Sequence, residues 1–332
     1  MIPHKDNFTE NVTTFILNSS ATPPSCLLAM SCRHFHVIIS GAIFAGGIVA
    51  LLENLMLVVA MVKWDVKKTC KMFWFLWHLA IADAMVGASF LYYHLRIVSS
   101  CPLQFSCNSS FMVESLAILV CFFGTIVASH LFILAATVER FIAIQWSLRY
   151  SSLVTTKGTT LTAACIWIIS FVIPIISAIG ITQLHSPTVY TIATLIISSA
   201  CLLCAFAVIL LNLWIVSTAW KSARTVTNRR RRISLPSRNS TMNELVINQD
   251  HLKIAVTLSL FVCSFVLSCA PWSVALIICS ESTRCVLKRE HDYTLVLVLF
   301  HAIVIPILYG FRVEEVKLHV LKFWKNLIRK NR

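Results

Sequence analysis

Seven apolar runs dominate this chain, each about as long as the roughly 20 residues a helix needs to cross a bilayer. They cover 36–62, 72–95, 112–145, 161–181, 190–220, 252–279 and 293–311. The hydrocarbon offers the backbone no water to bond, so apolar runs of this length are read as helices. Only 182–189 parts the fourth run from the fifth, and Pro187 supplies the turn there. The composition agrees, at 58% hydrophobic, 13% charged and a mean hydropathy of +0.80. A soluble domain carries about a quarter charged residues. The expected fold is an all-α membrane protein: a seven-transmembrane helix bundle, with a short amphipathic helix after the seventh span.

Charge orients the bundle. Lys63, Lys67, Lys68 and Lys71 follow the first run, and Arg149 and Lys157 follow the third. Lys221, Arg224, residues 229–232 (all Arg), Arg238 and Lys253 lie between the fifth and sixth, and Arg312 opens a basic tail. The alternate loops are poorer in Lys and Arg, except the last, with Arg284, Lys288 and Arg289. Basic loops stay cytoplasmic, so the N-terminus is expected outside and the C-terminus inside. The expected divisions are an extracellular glycosylated segment 1–35, a membrane domain 36–311 with a third inner loop at about 221–251, and a cytoplasmic helix and tail 312–332. The net charge of +14 follows mostly from this asymmetry and from attraction to anionic lipid, which argues against a nucleic-acid partner. The first 33 residues are polar and show no cleavable signal, so the first span is expected to act as an uncleaved anchor in the plasma membrane. Four glycosylation sequons, at Asn7, Asn11, Asn18 and Asn108, fall on the side the charges make external.

Thirteen cysteines form two groups. Cys26, Cys32, Cys101, Cys107, Cys279 and Cys285 are external, in three C-x5-C pairs, and the compartment is oxidising. Three local loops are one reading; crossed links from the N-terminal segment to the last outer loop are another. The rest lie in spans or face the cytosol and read as packing residues and free thiols. No ligand set has structural-zinc spacing, so no metal centre is expected.

The spans carry an ordered set of polar and proline marks. The third ends in Glu139-Arg140-Phe141, with a fixed positive charge where a helix meets water and an acid beside it to hold the guanidinium. Span one has Asn54, and span two has Asp83, an acid near mid-bilayer that must face the bundle. Span four has Trp167, span six Phe265 and Pro271, and span seven Pro306 and Tyr309. Proline removes a backbone donor and kinks a helix, so Pro271 and Pro306 are candidate hinges with Phe265 beside them. In this order, from Phe35 to Trp324, the set resembles the rhodopsin-like G-protein-coupled receptors. Glu53-Asn54, the lack of a Cys atop span three, the absence of a proline in span five and the last C-x5-C are shared with the branch of melanocortin, lipid-mediator, cannabinoid and adenosine receptors. The short second outer loop, Val127-Ala-Ser129, Trp146-Ser-Leu-Arg149-Tyr150, Ala164-Cys-Ile-Trp167 and Tyr293-Thr-Leu-Val-Leu resemble melanocortin receptors most.

The resemblance implies a receptor that carries an extracellular signal, from a peptide or a lipid mediator, to a heterotrimeric G protein. Arg140, with Glu139 as its resting partner and Phe141 and Tyr309 alongside, would be the G-protein switch. Tyr93, Glu114, Trp272 and Tyr293 are ligand-pocket candidates. Asn54, Asp83, Ser129 and His301 stand where the family keeps a sodium pocket, which implies a weakly held sodium ion at Asp83 and no other cofactor. His301 is expected to replace the ion in part by pairing with Asp83; in the competing reading it is a neutral residue hydrogen-bonded within the bundle. His130 reads as packing.

The departures are as informative. The melanocortin calcium positions fall on Tyr93, Ser115 and Leu119, which leaves a hard cation too few oxygens. Cys269 stands where span six usually has tryptophan, Ile305 replaces the asparagine before Pro306, and Leu211 lies near the place of the span-five tyrosine. Residues 229–232 followed by Ile233-Ser234 form a basophilic kinase site or a lipid-facing basic loop. The tail has apolar residues at helical spacing with Lys between them, suiting the inner leaflet. It lacks Ser and Thr, so arrestin recruitment is expected to use the third inner loop. A non-signalling scavenger or receptor partner is the first alternative. A transporter or channel would need paired intramembrane charges or an internal repeat. No nucleophile–base set suggests an enzyme.

Overall fold

The computed structural model describes residues 37–63, 71–100, 109–183, 187–232, 263–278 and 289–312. They form long helices α1 (Val37–Lys63), α2 (Lys71–Ser100), α3 (Ser109–Gln145), α4 (Thr156–Gln183), α5 (Pro187–Arg232), α6 (Cys263–Ile278) and α7 (Arg289–Arg312). A 3-10 turn (Ser147–Arg149) and a four-residue helix (Tyr150–Leu153) join α3 to α4. The first five helices are long and apolar enough to cross a membrane, and the described apolar parts of the last two are shorter, Cys263–Ile278 and Thr294–Leu308. The sixth run is described from Cys263 onward, so its start at 252–262 lies outside the described residues.

Helix α5 continues past the expected end of its span to Arg232, so the third inner loop begins as helix. Nothing between Lys221 and Arg232 stops it, since Gly and Pro are absent there. At 46 residues it is about 69 Å long, more than twice the hydrocarbon thickness of about 30 Å. Pro187 sits in its first turn, where a missing N–H costs nothing.

Consecutive helices pack side by side: α1 on α2, α2 on α3, α3 on α4 and α4 on α5. α7 closes back onto α1 and α2, while α3 also meets α5 and so runs through the middle. The outward faces are apolar, with Leu203, Phe206, Ile168 and Ile278 well exposed, as suits a lipid solvent rather than water. Lipid does not drive helices together, so close packing must. At the α1–α2 crossing, a Cβ on Gly87 would stand 2.9 Å from the Leu51 amide nitrogen and 3.0 Å from the Gly47 carbonyl oxygen. Backbone cannot yield there as a side chain could. Gly87→Val is therefore expected to cost about 1–3 kcal/mol, the scale of overpacking, and to lower the thermal midpoint of the purified protein. An unchanged midpoint would contradict the close crossing.

Several hydroxyls inside the spans bond to their own helices. The hydroxyls of Thr125, Thr137, Ser170 and Ser268 donate to the carbonyls of Cys121, Ile133, Ile166 and Ser264 at 2.6–2.8 Å. Each spares the core an unsatisfied polar group. Trp167 serves a contact between helices: its Nε1 donates to His78 Nδ1 of α2 at 3.2 Å, and His78 stacks on Phe132 of α3.

Candidate functional site

The inner end of α3 holds a compact charged group. Glu139 is 2% exposed and Arg140 14% exposed, and Arg140 Nε lies 3.1 Å from Glu139 Oε2. This contact is ionic and not a hydrogen bond, because the single Nε–H is directed at Met72 Sδ, 2.8 Å away on α2. Tyr150, on the short helix after α3, donates its hydroxyl to Glu139 Oε1. The loop thus folds back to satisfy a buried carboxylate, which would otherwise carry a heavy desolvation cost. Phe141 turns to α5, where its ring lies 4.6 Å from Trp214, and it also meets Trp146 of the second inner loop at 5.8 Å. One short segment therefore links α2, α3, α5 and the second inner loop.

A second polar group lies in mid-bundle. Asp83 is 1% exposed, and its Oδ1 accepts from Ser129 Oγ at 2.8 Å. Asn54 donates from Nδ2 to the Ala50 carbonyl at 2.8 Å and to the Ala302 carbonyl at 2.9 Å, tying α1 to α7. Next to Ala302, His301 makes no hydrogen bond from either ring nitrogen within the described residues. Its ring packs on Phe265 of α6 with centroids 5.4 Å apart. His130 of α3 also meets Phe265, at 4.6 Å, and places Nδ1 2.7 Å from the Ile126 carbonyl. Among the described residues His301 thus forms neither the expected hydrogen bond to Asp83 nor another within the bundle; its ring packs on Phe265 of α6.

The outer half of the core is apolar. Trp272, one turn beyond Cys269, is 1% exposed, with its ring centroid 6.2 Å from Phe122 and 5.9 Å from Phe123. Leu119 packs into the same cluster, so one expected calcium position supplies only hydrocarbon. The crevice between α3, α4 and α5, lined by Phe123, Pro174 and Thr194 among others, has a volume of about 10 Å³, the scale of one water.

Residues 53–309 match the family model described as 7 transmembrane receptor (rhodopsin family). The chain belongs to the rhodopsin family. The matched stretch opens at Glu53, beside Asn54, and closes at Tyr309. The receptor is also 27% identical over 281 residues to human melanocortin receptor 3, covering 82% of its own length and 80% of that protein's. The family consists of receptors, not enzymes, and the receptor is a multi-pass membrane protein.

Around Asp83, where the family implies a sodium ion, Asp83 Oδ2 and Asn54 Oδ1 are buried without a hydrogen bond among the described residues, but the side chains of His301 and Ile305 on span seven add no oxygen. A hard cation needs several oxygens. Here Ile305 and Cys269, both nearly buried, share an apolar cluster with Phe265 and with Leu79, Ala82 and Ala128, which flank Asp83 and Ser129 along their helices. His301 offers nitrogen.

Other expected residues fall outside what is described. The side chains of Tyr93, Tyr293 and Tyr309 do so, as do Cys26, Cys32, Cys101, Cys107, Cys279, Cys285, Asn7, Asn11, Asn18, Asn108 and Ser234. Glu114 is half-buried on α3. Pro271 and Pro306 lie within α6 and α7. The sequence reading missed Tyr150 and Met72 as neighbours of the Glu139–Arg140 pair. A phenol eleven residues past an acid carries no helical-spacing signal, since a turn intervenes.

Proposed function

We propose that this receptor couples an extracellular ligand, a peptide or lipid mediator, to a heterotrimeric G protein at the plasma membrane, with its N-terminus outside. The arrangement of Glu139, Arg140 and Tyr150 supports this most directly. It holds a guanidinium at the inner end of the bundle by contacts that a modest helix movement would break. Release of Arg140 from Glu139 and Met72 would be a population shift between two packings of the inner end of the bundle. Trp272 would pass ligand contact to Phe122 and Phe123 on α3. The apolar setting of Trp272 suits a lipid as well as a peptide, and Leu119 argues against calcium-assisted melanocortin binding.

The basic end of α5 supports partners of the third inner loop. The helix carries residues 229–232 about nine to twelve positions past Trp220, roughly 14–18 Å along its axis. The Debye length in cells is about 8 Å, so the lipid surface is largely screened at that distance for a helix leaving the membrane upright. The kinase reading of Ser234, with arrestin recruited to the same loop, gains from this placement.

The alternative is a non-signalling receptor, favoured by the burial of Cys269 and Ile305 in an apolar cluster where the family keeps polar or aromatic switch residues. A G-protein dissociation screen over peptide and lipid libraries distinguishes the two. The proposal expects a ligand that activates at least one G-protein class.

A further inference from the structure

We propose that the buried centre at Asp83 takes no sodium ion, and that a ladder of three rings, His130–Phe265–His301, ties α3, α6 and α7 together in its place. Phe265 is fully buried between the two imidazoles, at 4.6 Å from one and 5.4 Å from the other. The three rings come from three helices, so the ladder joins elements that a shared ion would otherwise join.

The chemistry that argues against the ion lies on span seven. Ser129 donates its proton to Asp83 Oδ1 and keeps its lone pairs, and Asp83 Oδ2 is left without a hydrogen bond among the described residues. Asn54 is anchored by Nδ2 to main-chain carbonyls of α1 and α7, while its Oδ1 has no hydrogen bond among the described residues. Span seven supplies nothing further: Ile305 is hydrocarbon, and His301 is turned onto Phe265. A sodium ion would meet the two Asp83 oxygens, the Ser129 hydroxyl and the Asn54 amide oxygen, all from α1–α3, with no oxygen from the side chains of His301 and Ile305 on α7 to close its shell. The aromatic ladder instead gains from ring contacts, each of which adds to simple burial.

The test uses the purified full-length receptor in lipid nanodiscs and reads thermal unfolding, which does not depend on coupling. Unfolding is followed at constant ionic strength with sodium chloride or N-methyl-glucamine chloride. A site occupied at a hundred times its dissociation constant would shift the folded-to-unfolded ratio about a hundredfold. The expected result is the same midpoint in both salts. A sodium-specific rise that Asp83→Asn abolishes would overturn the proposal. The double variant His301→Asn, Ile305→Asn is expected to acquire a sodium-dependent rise; a variant that folds and stays indifferent contradicts the role given to those two side chains. His130→Leu and His301→Leu should lower the midpoint non-additively, because both lean on Phe265. Strict additivity would dismiss the ladder.

Discussion

Glu139→Gln is expected to raise basal G-protein activation roughly five- to thirtyfold over the parent receptor at equal surface expression. The substitution keeps the shape and the acceptor for Tyr150 but removes the charge that faces Arg140 at 3.1 Å. The pair is nearly buried, so its loss is not cancelled by solvent as a surface pair's would be. An interaction of about 1–2 kcal/mol present only in the resting packing corresponds to a factor of about 5–30 in the resting-to-active ratio. Tyr150→Phe removes one hydrogen bond to the same carboxylate and should act in the same direction, about three- to fivefold. Arg140→Ala should abolish activation in both backgrounds. Basal signalling that falls in Glu139→Gln would mean that the acid supports the active packing instead.

Trp272→Ala is expected to be the most damaging core substitution. The indole is among the largest fully buried side chains and packs on Phe122 and Phe123 within a cluster that includes Ile126, Ile197 and Leu299. Removing it leaves a void bordered by four helices, and large-to-small changes of this kind cost about 3–5 kcal/mol. The thermal midpoint should fall by roughly 6–20 °C at about 2–4 °C per kcal/mol. Trp272→Phe should recover most of the stability, yet blunt the response to any ligand that presses on the indole. If Trp272→Ala leaves the midpoint within a degree or two, the ring is not the keystone of the outer core. The ligand would then have a deeper floor than Trp272.

The helices were legible because bilayer crossing demands long apolar runs, and the Glu139–Arg140 pair because adjacent charges at a span end have nowhere else to go. Asp83 and Ser129 were also read together, and the structure brings them to 2.8 Å. What stayed hidden depends on which face of an apolar helix turns inward. In a lipid-facing helix both faces are hydrocarbon, so periodicity separates them poorly. Nothing in the residue types distinguishes Ile305, at 2% exposed, from Ile307, at 39%. His301 was misread for a related reason. Its place at a span-seven sodium-pocket position facing Asp83 suggests the acid as partner, but a ring has faces as well as nitrogens, and Phe265 of α6 meets it. The extension of α5 to Arg232 leaves no mark in hydrophobicity, which fades after Trp220, and shows only in the absence of a breaker from Lys221 to Arg232.

The most direct test of the central claim is a G-protein dissociation panel in cells expressing the receptor beside its Arg140→Ala variant, matched for surface level. Coupling predicts basal or ligand-stimulated dissociation of at least one G-protein class, lost in the variant. Equal silence of both across every G protein, including in the Glu139→Gln background, would contradict it and leave a receptor fold without a signalling output.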